Sequence, residues 1–230
     1  MKFLKKSVID ECFSGTMGCQ IKISTLIHQI AESLSRTIDA TDPYTANHSE
    51  EVAEFSFIIA LSYGLKEREA ELIHIAGHLH DIGKIAIPKS ILRKEGRLSQ
   101  EEWDCIKEHP AIGADILKPI ESVMPISNLV LYHHERWDGK GYPSGLKEDE
   151  IPIGARIISV ADAISAMLEA RPYRKALDFN LMLNELNRNA GYQFDPKVIK
   201  ATMAVKDYIY KIKKDLMEVG NVTAWSCTRG

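Results

Sequence analysis

The sequence predicts an all-α protein, and two features of the chain lead to this class. Apolar residues recur every three to four positions in most long segments, which is the spacing of one buried helix face. No segment shows the strong alternation of apolar and polar residues that a half-buried strand requires. With 230 residues, of which 45% are hydrophobic, the chain is long enough to bury one large helical core.

The first helix is predicted over residues 21–39, after a loose lead-in at residues 1–20. Its apolar stripe consists of Ile23, Leu26, Ile27, Ile30, Leu34 and Ile38. Such a stripe fits either a core helix or a dimer contact. We expect a core helix, with a homodimer as the alternative.

The second helix is predicted to begin at Asp42 and Pro43. Asp42 can accept hydrogen bonds from free N–H groups of the first turn, and Pro43 suits the first helical position. This helix carries His48 and ends near Gly64. The first half of the sequence therefore contains at least two consecutive amphipathic helices.

The third helix is predicted over residues 65–82, where Gly83 would end it in the left-handed conformation. Ser99 and Glu102 have the spacing of a capping box. That box should begin a helix that runs to about His109 and is stopped by Pro110. The remaining helices are predicted at residues 113–117, 126–135, 153–168, 179–190 and 196–217, with Asp178 and Asp195 at the starts of the last two.

Composition limits the classes of partner and compartment. The net charge of −3 disfavours a nucleic-acid polymer, because such surfaces carry a basic excess. The four cysteines show neither paired metal spacing nor a disulfide framework, which favours a cytoplasmic protein. No apolar run approaches the length of a membrane span, so no membrane contact is expected.

We place the main domain at residues 34–204, a lead-in and helix at 1–33, and a helix end and tail at 205–230.

Adjacent His80 and Asp81 are the first candidate site residues. Both side chains can bind a divalent metal, but neighbours on a helix diverge by roughly 100°. The pair must therefore lie where a helix ends, or hold two metals with the carboxylate as a bridge. Lys84 would add a cation that can contact a phosphate oxygen. Taken alone, the pair also fits a buried histidine beside a capping aspartate.

Further histidines and one aspartate strengthen the metal hypothesis. Asp162 lies inside an apolar helix, where an ionised carboxylate is costly unless it is paired or bound to metal. His133 and His134 are adjacent, and His109 precedes a proline at a predicted helix boundary. With His48 and His80-Asp81, these residues supply five imidazoles and two carboxylates. That set suffices for two metals that share a carboxylate.

The other histidines and the tryptophans are expected to have ordinary roles. His74 and His78 are four residues apart, like a zinc pair, but no matching third ligand follows them. We therefore expect them to pack, to face solvent or to support metal ligands. His28 should be a surface residue on the polar side of the first helix. Trp103 and Trp137 are expected in the core or at the rim of the site.

Several fragments, taken in order, resemble the HD-GYP family, a branch of the HD-domain metal-dependent phosphohydrolases. The resemblance covers roughly residues 34–200. Its fragments are Asp42-Pro43-Tyr44-Thr45 with His48, His80-Asp81-Ile82-Gly83-Lys84-Ile85, Lys107-Glu108-His109-Pro110, His133-His134-Glu135-Arg136-Trp137-Asp138-Gly139-Lys140-Gly141-Tyr142-Pro143, Val160-Ala161-Asp162, and Arg171-Pro172-Tyr173-Arg174.

The resemblance implies an all-helical domain whose metal centre, often of iron or manganese, hydrolyses c-di-GMP through pGpG to GMP. By position, it assigns His48, His80, Asp81 and Asp162 to one metal, and Asp81, His109, His133 and His134 to the other. Asp81 would be the bridge and, with Lys84, a catalytic residue. The substrate contacts implied are Lys84, Arg171, Arg174 and the rim loop of Gly141, Tyr142 and Pro143. The partner implied is a cyclic dinucleotide.

The chain departs from the family pattern at three positions. Tyr44 stands where three-metal members carry Glu, so two divalent metals are expected, most simply iron or manganese. Glu51 stands where many members have Arg, and Ser165 where a second Asp is usual. These two changes should affect support of the ligands or substrate preference, because no expected ligand is missing.

Three functions remain open from the sequence. The leading one is a c-di-GMP phosphodiesterase, in which two metals acidify a water and neutralise phosphoryl charge while Lys84 stabilises the transition state. The second is a phosphohydrolase acting on another cyclic dinucleotide or nucleotide. The third is a non-catalytic nucleotide-sensing module, which the complete ligand set disfavours.

Overall fold

The computed structural model describes residues 16–39, 47–119, 124–170 and 175–222. Its α-helices in these ranges are α1 (Thr16–Asp39), α2 (His48–Tyr63), α3 (Glu67–Leu79), α4 (Lys89–Leu92), α5 (Gln100–Lys107), α6 (His109–Leu117), α7 (Met124–Tyr132), α8 (Ile153–Leu168), α9 (Phe179–Arg188), α10 (Pro196–Ala204) and α11 (Lys206–Val222). Short 3-10 helices lie at Ile82–Ala86 and Glu148–Glu150, and no strand occurs within the described ranges. The predicted all-α class is confirmed.

Helices α2, α3 and α8 form the centre of the core. Phe55 and Ile59 of α2 and Ile157 and Ile164 of α8 are completely buried. Burying one such side chain contributes about 1.5–3 kcal/mol relative to leaving it exposed. Helix α10 packs on α2, and α7 packs on both α3 and α6. The helix ends that carry the candidate ligands are therefore held by a common apolar core.

Helix α1 differs from the prediction at its start and along its apolar stripe. It begins at Thr16, so residues 16–20 are helical and do not belong to a loose lead-in. Ile38 is buried, but Leu26, Ile30 and Leu34 are 54%, 50% and 42% exposed. The expected core position is therefore wrong for these three side chains, because they lie on the face of α1 that points away from the core. The homodimer stays a prediction.

The end of α3 lies three residues earlier than predicted. The helix ends at Leu79, and Asp81 (φ −96°, ψ 7°) leads into the 3-10 helix. Gly83 is not left-handed, which corrects the predicted cap. A Cβ at Gly83 would overlap the carbonyl oxygen of His109 and lie 2.6 Å from the nitrogen of Gly113. Glycine is therefore required here because α6 packs directly against this backbone.

The boundary between α5 and α6 also corrects the prediction. Pro110 does not stop a helix that reaches His109, because α5 ends at Lys107 and His109 begins α6. Proline is tolerated in a first turn, where its missing N–H would have had no helical partner. The candidate ligands His133 and His134 likewise follow α7 and are not part of it, since α7 ends at Tyr132.

The predicted side-chain caps at Ser99, Asp178 and Asp195 are confirmed, and the cap predicted at Asp42 lies outside the described residues. Ser99 and Glu102 form the capping box of α5, in which the Glu102 N–H donates to Ser99 over 3.2 Å. Asp178 and Asp195 accept from backbone N–H groups at the starts of α9 and α10.

The helix predicted over residues 196–217 is in fact two helices, separated at Val205. Helix α9 ends two residues earlier than predicted, and α4 was not predicted.

None of the helices within the described ranges combines the length and apolar character needed to cross a membrane. The domain boundaries at residues 33/34 and 204/205 stay a prediction. Helix α1 runs through the first of them.

Candidate metal centre

The fold brings all seven predicted ligands into one cluster. Its members come from the starts of α2 and α6, the residues after α3 and α7, and the interior of α8; they are His48, His80, Asp81, His109, His133, His134 and Asp162. The ligand atoms of His48, His80 and Asp162 lie within 4.8 Å of one another, as do those of His109, His133 and His134. A third such set, His80, Asp81 and His133, connects the two groups.

Backbone hydrogen bonds fix the orientation of three of these imidazoles. The Nδ1 atoms of His80, His109 and His133 lie 2.7, 2.8 and 2.6 Å from the carbonyl oxygen three residues earlier in the chain. A carbonyl oxygen only accepts, so Nδ1 must carry the proton in each ring. The lone pair of each neutral ring is therefore on Nε2, which faces the centre of the cluster.

The spacing of these Nε2 atoms fits a metal. Those of His109 and His133 are 3.4 Å apart, although two unprotonated nitrogens cannot hydrogen bond to each other. Two nitrogen atoms that each bind the same zinc-sized ion at about 2.0–2.1 Å lie at a comparable distance from each other. Nε2 of His80 is also buried and has no hydrogen-bond partner among the described residues. Imidazole nitrogens directed at one another in this way fit bound cations.

The carboxylate of Asp81 lies between the two groups of ligands. Its Oδ1 is 3.3 Å from Nε2 of His109, and its Oδ2 is 3.3 Å from Nε2 of His80. The same Oδ2 is 3.9 Å from Nε2 of His48. One oxygen thus faces each group, which is the arrangement a bridging carboxylate needs. The Nζ atom of Lys84 also donates to Oδ2 over 2.6 Å.

The two carboxylates are strongly favoured in their ionised forms. Burial alone would raise the pKa of Asp81, but the charges of Lys84 and His80 hold it well below its ordinary value. Burial also opposes ionisation of Asp162, but a hydrogen bond from His48 and the charge of that ring lower its pKa. Ionised carboxylates are the form that binds divalent cations.

Most of the imidazoles are held neutral by their surroundings. Burial and the neighbouring His109 lower the pKa of His134 to about 3. Burial likewise lowers the pKa values of His109 and His133. His80 is the exception: burial opposes its protonation, but the negative charge of Asp81 outweighs this effect and raises its pKa to about 9. Binding of a metal at His80 would therefore release a proton.

The two unusual residues Glu51 and Ser165 lie against each other and support His48. The hydroxyl of Ser165 donates to Oε2 of Glu51 over 2.7 Å and lies 2.9 Å from Nδ1 of His48. Since that hydroxyl has a single proton, Nδ1 of His48 must donate to it, and Nε2 of His48 points into the cluster, 3.2 Å from Oδ1 of Asp162. Oε1 of Glu51 accepts from Lys213 on α11 at 2.5 Å. No local sequence signal marks Lys213, which lies 162 positions away from Glu51.

The loop of Gly141, Tyr142 and Pro143 packs against the candidate ligand His134. The Tyr142 ring lies 4.8 Å from the His134 ring, and the Tyr142 N–H donates to the His134 carbonyl over 3.3 Å. A Cβ at Gly141 would lie 2.5 Å from Cα of Glu135, so only glycine fits. The buried Glu135 accepts from two N–H groups of the same loop, 2.6 and 3.0 Å away. The loop therefore holds His134 in place as well as lying at the edge of the cluster.

Solvent reaches the cluster on the side of Asp162 and Lys84. Their side chains are 22% and 23% exposed, whereas those of His48, His80 and His109 are at most 3% exposed. A molecule that binds at the cluster would approach from this side. The predicted phosphate contact Lys84 is therefore placed where a substrate phosphate could reach it.

Three predicted residues, Tyr44, Arg171 and Arg174, lie outside the described residues. Trp137 is half-buried beside the guanidinium of Arg156, 5.5 Å from the ring centre, and its place at the rim of the site stays a prediction. Trp103 is 44% exposed, so a core position is wrong for it, and a rim position stays a prediction.

The expectation of an ordinary surface role for His28 is wrong. His28 is half-buried, and its ring stacks on that of His74 with centroids 5.0 Å apart. Sequence reasoning missed this contact because His28 and His74 are on different helices.

Comparison with protein-family models matches residues 32–198 to the HD domain. Among curated proteins, a cyclic di-GMP phosphodiesterase response regulator of Xanthomonas campestris is 40% identical over 74% of this chain and 46% of its own length. A cyclic di-GMP phosphodiesterase of Thermotoga maritima is 36% identical over 93% of this chain and 57% of its own. A 3'3'-cGAMP-specific phosphodiesterase of Vibrio cholerae is 35% identical over 82% of this chain and 36% of its own length. The chain thus spans about half the length, or less, of these relatives.

Among solved structures, a cyclic GMP-AMP-specific phosphodiesterase of Vibrio cholerae has the same fold. The TM-score is 0.59 at 16% sequence identity, over 86% of this chain and 51% of that protein. This similarity supports the helical architecture described above.

Proposed function

Because the chain belongs to the HD-domain family, we propose that it is a metal-dependent phosphodiesterase that hydrolyses c-di-GMP to pGpG, GMP or both. The observation that carries the proposal is the position of Asp81, with one carboxylate oxygen facing each of two groups of ligands. The relatives named cyclic di-GMP phosphodiesterases support the choice of substrate.

We propose that the seven ligands hold two divalent metal ions, iron or manganese. His48, His80 and Asp162 would hold one ion, and His109, His133 and His134 the other, with Asp81 shared between them. Neutral imidazoles and carboxylates are ligands that these metals accept. When bound, the ions would supply a water acidified enough to attack at neutral pH and would neutralise charge on the phosphoryl oxygens.

The protein's own residues position the substrate. Lys84 lies on the open side of the cluster, and its ammonium group can move from Asp81 to a phosphoryl oxygen that gains charge in the transition state. Tyr142 and its loop would form the rim against which the dinucleotide rests. Arg171 and Arg174 would contact phosphate or guanine, since guanidinium groups bind both through paired hydrogen bonds.

A second candidate substrate is 3'3'-cGAMP, because three Vibrio cholerae relatives that are each 35% identical carry that specificity in their names. The ligands around Asp81 would be the same for either dinucleotide. The difference must come from residues that contact the bases, for which Arg171 and Arg174 are our candidates.

The proposal is tested by product analysis after anaerobic purification with iron or manganese. The protein is incubated with c-di-GMP, 3'3'-cGAMP, c-di-AMP and pGpG, and Asp81→Asn serves as the control for metal-dependent turnover. We expect c-di-GMP to yield pGpG or GMP, and the control to yield neither. Preferential hydrolysis of 3'3'-cGAMP would support the second candidate. Tight binding without turnover by the metal-loaded protein would contradict an enzyme and indicate a nucleotide-sensing module.

A further inference from the structure

A second cluster of histidines lies apart from the seven ligands. It consists of His28 on α1 and of His74 and His78 on α3, one turn apart on the same helix face. The ring centroids are 5.0 Å apart for His28 and His74, 5.3 Å for His28 and His78, and 4.8 Å for His74 and His78. One nitrogen from each ring lies within 4.8 Å of one nitrogen from each of the other two.

Three nitrogens of this cluster lack the partners that buried polar atoms normally have. Nδ1 of His74 and both ring nitrogens of His78 are buried and make no hydrogen bond to any described residue. At these three positions, Leu or Phe would provide better apolar packing than imidazole rings do. The unused nitrogens are therefore the feature that needs an explanation.

We propose that His28, His74 and His78 form a metal site, separate from the catalytic cluster, that binds one divalent transition-metal ion of the zinc class. The proposal is independent of the function proposed above, since it uses none of the seven ligands. Sequence reasoning dismissed His74 and His78 because no third ligand follows them. The third ligand instead precedes His74 by 46 residues and comes from another helix.

The donor set defines the class of ion. Three imidazoles without a carboxylate suit zinc, cobalt or nickel, and do not suit magnesium or calcium, which require oxygen ligands. In a tetrahedral zinc site the nitrogens are about 3.3 Å apart, from zinc–nitrogen distances of 2.0–2.1 Å. Small side-chain rotations would bring the present nitrogens to that separation. Water would occupy the fourth position on the half-buried side, beside His28.

The protonation state of the cluster also suits a metal. Burial and the neighbouring His28 lower the pKa of His74 to about 4, so this ring is neutral at physiological pH. Neutral imidazole is the form that binds metal, and no proton has to be displaced from it. The hydrogen bond between His74 and the backbone of Ala53 would help to hold the ring in place.

A bound ion would fasten α1 to α3. The face of α1 that carries Leu26, Ile30 and Leu34 is exposed, so α1 is held to the core by one side only. Helix α3 ends immediately before His80, so the ion would also stabilise the helix that delivers His80 and Asp81 to the catalytic cluster. We therefore expect a structural role, visible as thermal stabilisation by the ion.

The test compares the zinc content of the full chain with that of His28→Gln and His74→Gln after equilibration with zinc and dialysis. Phe57→Leu is the matched control, because Phe57 contacts the His74 ring (centroids 5.9 Å apart) but cannot bind a metal. We expect the wild type and Phe57→Leu to retain one equivalent more than the two histidine variants. Loss of a direct ligand should weaken zinc binding by at least about 100-fold, since loss of a supporting residue already costs 10- to 100-fold.

Two further measurements make the outcome decisive. Cobalt added to wild-type protein already saturated with manganese should give the intense visible absorption of four-coordinate cobalt, and His28→Gln should lack it. Zinc should raise the melting temperature of the wild type more than that of His28→Gln. Equal zinc content in all four proteins, with circular dichroism showing each of them folded, would overturn the proposal. If His74→Gln does not fold, the half-buried His28→Gln and the wild-type cobalt spectrum decide the question.

Discussion

Replacement of Ser165 by Ala should weaken the metal site without touching a ligand. The structure connects Lys213, Glu51, Ser165 and His48 through contacts of 2.5, 2.7 and 2.9 Å. In Ser165→Ala, Nδ1 of His48 loses the acceptor that fixes its proton there, and Glu51 keeps Lys213 as its partner. The ring of His48 can then rotate or change tautomer, so its Nε2 is no longer fixed toward the metal.

The expected magnitude follows from the bonds that are lost. A hydrogen bond to a charged group contributes about 1.5–3 kcal/mol, so Ser165→Ala should lower the free energy of unfolding by about that amount. Loss of a residue that supports a metal ligand typically costs 10- to 100-fold in metal affinity. We therefore expect one of two bound manganese ions to dissociate at a chelator concentration at least about tenfold lower than in the wild type.

Ser127→Ala is the matched control. Ser127 is also buried, but its hydroxyl donates only to the carbonyl oxygen of Ala114, away from the ligands. This variant should lose about 1 kcal/mol of stability and keep wild-type metal affinity. The assay is metal content by elemental analysis after dialysis against graded chelator, with the melting temperature measured in parallel. Equal metal affinity in Ser165→Ala and Ser127→Ala would refute a supporting role for Ser165.

Three further predictions concern the substrate contact, the loop and pH. Lys84→Ala should keep its metal content but lower kcat by about 10²-fold, and full activity at saturating substrate would assign Lys84 to structure only. Gly141→Ala should lower the melting temperature and the metal content together, because its Cβ would collide with Glu135. In the metal-free protein, the unfolded state binds more protons than the native state at His134 below pH 6.5, so stability should fall toward pH 3. His80 has the opposite shift, so its contribution is lost between pH 6.5 and about 9. A melting temperature that changes monotonically with pH from about 4 to 9 would contradict this pair of shifts.

The sequence was sufficient for features that depend on short stretches of chain. The capping box at Ser99 and the caps at Asp178 and Asp195 were predicted correctly, since each bond joins residues at most three apart. The seven candidate ligands were recognisable because each is a polar residue at the end of, or inside, an otherwise apolar helix. The structure brings them together, whereas their metals and roles stay predictions.

Features that depend on packing between helices were not predictable in the same way. Position 83 requires glycine because the backbone of His109 lies against it, and this contact exists only when α6 is packed in place. Lys213 supports the metal site from the last helix, and His28 meets His74 across a helix interface. No local sequence pattern marks Lys213 or His28, because each lies in an ordinary amphipathic helix.

We predict that Asp81 joins two metals, and anomalous X-ray scattering can locate both ions relative to its carboxylate. Crystals of protein purified anaerobically with manganese or iron would be measured on both sides of the absorption edge of that metal. We predict two anomalous peaks in the cluster, each within coordination distance of a different oxygen of Asp81. A single peak, or two peaks neither of which contacts Asp81, in protein shown by elemental analysis to be fully loaded would contradict the account.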